Sequence, residues 1–435
     1  MRLIEIGVVL LFLLIYTIYL PRLVIKQDIK SIKLIILEIT LQNIVCMMAS
    51  DAFNYSIAQL IILYKEIVMY GAVFVFFFLK KKMTIKKYLF PIIVMIFICV
   101  PYFFIGSASL FTKLICFRQI MTPLILILYG STYRFSEQQI KDVLKYIVNL
   151  GIFQCFFGLI ERFVLGDGLW RSLNITKYMA AKGFSAYIFN NGMPGNYYSA
   201  DLYNYVGMLR RLVGFLTDPL LTGHYLAFCI IVLLFTRVYE NDLKEKCAII
   251  LCTVTLLLTL SKGALLIIAI GFIYKLWQNN KIAAYFLGMV SVSAIVLMIQ
   301  GNTLYTLTRH VEGLTTSLST EYIVGKGLGS SGNYANLYGQ GSETGGESFI
   351  GAIIGQMGIP GLATFIYAVS VLLKRIKYSD KTIISSMVYA YILAALIEST
   401  FSESAINYVG SGVAFIIFGM ITDKTSDVKE KMCLE

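Results

Sequence analysis

The chain has 435 residues, of which 58% are apolar and only 14% charged, with a mean hydropathy of +0.75. Soluble domains do not reach that balance, and it marks a polytopic membrane protein. The formal net charge of +12 does not imply a nucleic-acid partner, because the lysines and arginines sit in short loops beside apolar stretches, where membrane topology accounts for them.

A crossing helix needs roughly 20 apolar residues. Candidates lie at 3–20, 34–49, 58–79, 88–106, 109–130, 147–165, 213–236, 247–260, 263–276, 282–300, 347–373, 383–399 and 406–421, which gives about 12–13 transmembrane helices by that rule. The segments are too long and too continuously apolar for barrel strands, so the fold predicted is an all-α polytopic integral membrane protein. "KKKMTIKK" at 80–87 fixes a cytoplasmic loop. Arg22, Lys26, Lys30 and Lys33, the stretches 132–146 and 237–246, and "KRIKYSDK" at 374–381 join it on that side. Threading between these anchors makes 165–212 and 300–346 two long extracytoplasmic loops of a single integral membrane domain, 1–435. A span at 3–20 then leaves the amino terminus outside, with Arg2 against the rule; either that terminus is external or one of the first three spans is miscounted. No cleavage pattern follows the first apolar run, so it reads as a retained span. The eight cysteines have neither paired nor metal-ligand spacing, and no disulfide framework and no metal are predicted.

In the span 109–130, Lys113 and Arg118 are ionisable groups at membrane depth, which are functional candidates by default and here suit lipid phosphates. The competing reading pairs them with Glu66, Glu161 or Glu398. The first outer loop interleaves aromatics with glycine and asparagine, "GLWRSLNITKYMAAKGFSAYIFNNGMPGNYYSADLYNYVGMLRR". Trp170, Tyr197, Tyr198 and Tyr203 are candidates for stacking on sugar rings; an interfacial aromatic belt is the alternative. The loop ends in "RRLVGFLTDPLLTGHYLAF". Arg210 and Arg211 lie on the outer side against the positive-inside rule, and an arginine fork there suits bidentate phosphate recognition, with Gly214 allowing close backbone approach. Pairing with headgroups, Asp201 or Asp218 competes with that reading. His224 reads as a satisfied packing residue.

"LLLTLSKGALLIIAIG" places Lys262 at the tip of an outer hairpin, as a second external cation or a snorkelling lysine. The second outer loop opens amphipathically, with Leu307, Val311, Leu314 and Leu318 at helical spacing and Arg309 and His310 on other faces. Glycines 325, 327 and 329 follow in a turn whose amides suit an anion, without the strand-to-helix context of a nucleotide fingerprint. Glu343 and Glu347 precede a helix interrupted by "GIPG". Glu347 is either a general base or a partner of the helix dipole.

The order of "RLVGFLTDP", "TLSKG", an arginine-led outer helix with "GKGLG", and "GIPG" resembles the O-antigen polymerase and O-antigen ligase family over 109–375. Ligases of that family carry a proline-asparagine pair where this chain has Pro219-Leu220, an arginine where it has Lys262, and a His-Asn pair where it has Glu347-Ser348, so the polymerase branch is the nearer one. The resemblance implies a glycosyltransferase of the bacterial cytoplasmic (inner) membrane that joins undecaprenyl-diphosphate-linked oligosaccharide repeat units of an O-antigen, capsule or exopolysaccharide. It implies no metal and no other cofactor. Membrane lipid would surround the enzyme, and a flippase and chain-length regulator would be its protein partners, with no nucleic acid. Arg211, Arg210, Lys262, Arg309, Arg118 and Lys113 would hold the diphosphate, and Glu347 or His310 would be the base. A ligase with the same fold and a lipid-linked oligosaccharide flippase or transporter are the other readings; the chain lacks the repeated broken helices of the latter.

Overall fold

The computed structural model describes residues 2–26, 28–79, 90–131, 135–183, 191–199, 207–282, 288, 313–318, 323–337, 347–378 and 383–422. Arg309, His310 and Tyr203, the span at 282–300 apart from 282 and 288, and the lysine cluster 80–87 lie outside them.

The described chain is helical almost throughout. Helix α1 runs from Arg2–Leu14 through a π turn, Ile15–Tyr19, into Leu20–Lys26. Pro21 falls just after that wider turn, where the hydrogen-bond ladder is already interrupted, so its missing N–H does not end the helix. Then come α2 (Lys30–Ala52), α3 (Tyr55–Leu79), α4 (Phe90–Phe104), α5 (Leu110–Gly130) and α6 (Glu137–Ile160). A π turn, Glu161–Leu165, leads from α6 into short α7 (Gly166–Ser172) and α8 (Ile175–Ala181). The antiparallel pair β1 (Tyr198–Ser199) and β2 (Leu209–Arg210) sets Tyr198 opposite Arg210. The remaining helices are α9 (Pro219–Phe235), α10 (Asp242–Thr259), α11 (Lys262–Asn279), α12 (Asn333–Leu337), α13 (Phe349–Tyr378), α14 (Ile383–Glu398) and, after the turn Glu403–Ile406, α15 (Tyr408–Thr422).

Helix starts coincide with residues that satisfy their orphan N–H groups. Ser109 accepts from Thr112 N, Ser136 forms a reciprocal capping box with Gln139, Asp218 accepts from Leu220 N and Leu221 N, and Ser261 accepts from Ala264 N. Five described helical segments are long and apolar enough to cross a membrane: Leu3–Lys26, Lys30–Ala52, Leu110–Gly130, Glu137–Ser172 and Phe349–Lys374. Shorter apolar helices include α4, α9, α14 and α15. The chain is an all-α membrane protein in its described part, apart from the one small strand pair.

Helix α9 occupies the centre, packed against α6, α10, α11, α14 and α15, with residues Thr222–Leu233 buried without a break. Helices α5 and α15 make the closest crossing. A Cβ on Gly130 would strike the Ile416 carbonyl, and one on Gly419 would strike that of Ile127, so backbones meet there as small residues permit. A second apolar cluster lies under the first long loop, where Trp170, Ile175, Tyr178, Met193 and Tyr197 pack on Val45, Met47 and Ala58 of α2 and α3.

Candidate functional site

A cavity of about 540 Å³ lies where the ends of several helices meet. Its walls come from the start of α3 (Gln59, Leu60, Leu63), the first half of α5 (Phe111, Arg118, Gln119), the first loop (Met179, Lys182, Asn196), the entry to α9 (Thr217, Asp218), α12 (Asn333, Tyr334), and the turn before α15 (Glu403, Asn407). Segments of both long loops thus contribute to one chamber, in which apolar residues of α3 and α5 stand beside the carboxamides Gln59, Gln119, Asn196, Asn333 and Asn407.

Glu403 is its most distinctive group. The α14–α15 connection is too short to carry this carboxylate away from the bundle, and it is 7% exposed. Gln119 Nε2 donates to its Oε2 at 2.9 Å and the Asn333 amide to its Oε1 at 2.6 Å. Burial pushes the carboxyl up to about 7 despite those two bonds, and the charge of Glu347 adds to the rise. A carboxyl titrating near neutrality in a polar cavity is equipped to take up or release a proton.

Asp218 marks another part of the wall. Its Oδ1 caps α9 through Leu220 N at 2.8 Å and Leu221 N at 3.2 Å, and Asn196 Nδ2 donates to its Oδ2 at 2.7 Å. Burial raises this carboxyl above its ordinary range against the two amides and the charges of Lys182 and Arg211. Asn196 Oδ1 is buried and has no hydrogen-bond partner among the described residues, an acceptor suited to a ligand hydroxyl. Thr217 stands at φ 55°, a left-handed conformation costing a β-branched residue on the order of 1–2 kcal/mol; strain of this kind gathers where a site dictates the backbone.

The structure redistributes the residues singled out in the sequence. Arg118 lines the cavity. Lys113 does not: its Nζ donates to the Phe103 carbonyl at 2.8 Å and the Gly106 carbonyl at 2.9 Å, closing the end of α4. Trp170 and Tyr197 are fully buried and so have no face for a sugar. Trp170 Nε1 donates to Glu161 Oε1 at 2.8 Å, and Tyr197 donates to the Thr217 carbonyl at 3.2 Å. Tyr198 donates to Asp167. Arg210 is engaged by Glu161 and, at 2.8 Å, by Asp167. Trp170, Tyr197 and Tyr198 thus build the platform of the first loop, to which Arg210 is tied through Glu161 and Asp167. Arg211 lies behind the wall, its amide bonded to the Tyr197 carbonyl at 2.8 Å, and acts on the cavity through its charge on Asp218. Lys262 is exposed at the start of α11. Glu347 is exposed just before α13, whose first turn is capped by Ser348, which accepts from Gly351 N at 2.9 Å; it reaches the cavity through its effect on Glu403. His224 is buried, with Nε2 2.9 Å from Glu398 Oε2 and Nδ1 2.6 Å from the Leu220 carbonyl, and ties α9 to α14.

The "GKGLG" amides face protein carbonyls, not an anion. Lys326 N donates to Gly355 O and Gly327 N to Gln356 O, each at 3.0 Å, while Leu328 N donates to Tyr102 O at 3.0 Å. Glu403, Gln119, Asn333 and Lys182 escaped the sequence reading. Glu403 had a signal of its own, an acidic residue in "FSESAINY", a polar run too brief to be a loop between two apolar spans. Among the described residues no group of three or more His, Cys, Asp or Glu is arranged to hold a metal ion. No family model, no curated protein and no solved structure matches the chain.

Proposed function

We propose that this protein is a glycosyltransferase that polymerises polyprenyl-diphosphate-linked oligosaccharide repeat units at the outer face of a bacterial cytoplasmic membrane. The observation that carries the proposal is the cavity: carboxamides and hydroxyls for a polyol, a carboxyl poised near 7, a half-buried arginine, and an apolar flank of Leu60, Leu63 and Phe111. The motif order that resembles the polymerase and ligase family supports the substrate class. The lysine-rich loops support the sidedness, since the chamber is built from segments on the other side of the bundle by the positive-inside rule.

In this reading the Glu403 carboxylate takes the proton of an acceptor hydroxyl. The hydroxyl oxygen bonds to the anomeric carbon of the donor glycan, and the bond from that carbon to the diphosphate oxygen breaks, its electron pair leaving with the diphosphate. Arg118 and Lys182 offset the charge that develops on the leaving group. Glu347 is a modulator of Glu403 rather than the base, and Arg211 positions Asp218. Flippase and chain-length regulator partners would supply and measure the chain.

The test is deletion of the gene in its native host. Single repeat units on lipid or surface acceptors, with polymer absent, are the expected products. Repeat units accumulating on the cytoplasmic face would replace this reading with that of a flippase.

A further inference from the structure

At the end of α6, away from the cavity, Glu161 is fully buried and accepts from Trp170 Nε1, from Arg210, and from Val213 N at 3.1 Å. Asp167 takes Arg210 Nε at 2.8 Å. Both carboxylates are thereby engaged, yet three guanidinium nitrogens beside them are not. Arg162 Nε, Arg162 Nη1 and Arg210 Nη1 are buried with no hydrogen-bond partner among the described residues. Arg162 lies within reach of Arg210, whose charge repels it, and Arg171 adds a third cation acting on Asp167. Three arginines therefore face two carboxylates. Buried N–H groups without acceptors are costly, and most of all on a charged group.

The surroundings indicate what supplies the acceptors. Phe156, Ile160, Phe163 and Val164 are exposed around Arg162, Phe163 at 67% and Val164 at 75%. Arg162 Cζ lies 5.5 Å from the centre of the Phe163 ring. An apolar collar at the end of a spanning helix is a lipid-facing surface, and an arginine fork at that level meets headgroups. Guanidinium geometry matches phosphate oxygens in pairs.

We propose that Arg162 and Arg210 together bind a phosphate oxyanion at the membrane surface. None of Glu161, Arg162, Asp167 or Arg210 lines the cavity, so the site is separate from the proposed reaction centre and independent of the reading given above. The phosphate comes from an anionic phospholipid headgroup or from solution.

Thermal unfolding of the purified full chain distinguishes the sources. The probes are phosphatidylglycerol, phosphatidylcholine and inorganic phosphate, each added to protein in a neutral detergent. For a lipid site, phosphatidylglycerol raises the unfolding temperature by several degrees and the other two do not; for a soluble site, inorganic phosphate matches it. In both cases Arg162→Gln loses the shift, Arg162→Lys keeps part of it, and Arg237→Gln, changed at a side chain 86% exposed elsewhere, keeps all of it. Arg162→Gln itself should fold, since no described protein acceptor of its side chain is lost. Equal shifts in wild type and Arg162→Gln overturn the proposal.

Discussion

Glu403 and Glu161 are both buried carboxylates, and their neighbours give them opposite tasks. Glu161 is held by an arginine, an indole N–H and the backbone at Val213, a network that anchors the first loop. Removing one partner of such a buried ion pair costs about 3–5 kcal/mol. Glu161→Gln should therefore lower the unfolding temperature sharply or abolish folded material in size-exclusion chromatography, whatever the substrate. Glu403 accepts from two neutral donors, Gln119 and the Asn333 amide, and burial holds its carboxyl at about 7, well above the ordinary 4.5. The folded chain thus binds more protons than the unfolded chain between those values. The stability this group contributes is fully present below about 4.5 and is lost as pH rises through about 7. Activity should move the other way, because the base works deprotonated. Turnover should rise with pH through an inflection near 7 and then level. In Glu403→Asp, a shorter base, a reduced rate that retains a pH limb is expected; an unshifted, full-rate profile in that variant would remove Glu403 from the reaction.

Among the elements, the joint between "GKGLG" and "GIPG" shows how a motif can be read correctly as important and wrongly as chemical. Gly358 adopts φ 63° inside α13, kinking it beside Pro360, and its neighbour Ile359 donates to the Ile323 carbonyl at 2.9 Å. The glycine turn then lies against the bared carbonyls of Gly355 and Gln356. Gly327, at φ 96°, has no room for a Cβ because the Ile105 carbonyl occupies that space. Gly327→Ala should cost about 1–3 kcal/mol, read as a fall in the urea or thermal midpoint, while Gly288→Ala, with nothing within 4 Å of the added methyl, should leave it unchanged. The helices themselves were legible. Apolar length placed α2, α5, α14 and α15 within four residues of their observed ends. What the sequence did not reveal was which amides meet which carbonyls, because that depends on elements more than twenty positions apart. The aromatics of the first loop misled for a related reason: Trp170 and Tyr197 look like a sugar platform until their burial in the apolar cluster beneath that loop is known.

For the whole molecule, the central feature is the convergence of residues from 56–63, 111–122, 179–182, 217–221, 333–334 and 403–409, with Asn43 and Asn196, on one cavity. Of the residues singled out in the sequence, Arg118 lines it, but its carboxyl lay in a connection between spans that composition passes over. The account rests on Glu403 serving as the base of a glycan-joining reaction in that cavity. The measurement that tests this most directly uses purified protein in liposomes with a defined polyprenyl-diphosphate-linked oligosaccharide, and compares product length and yield for wild type, Glu403→Gln and Glu347→Gln at equal protein. Loss of a general base removes about a hundred- to ten-thousand-fold in rate. The account predicts that drop for Glu403→Gln, with Glu347→Gln still making polymer and its pH inflection moved below that of wild type, as loss of the charge that raises Glu403 requires. Polymer of normal length and yield from Glu403→Gln would contradict it.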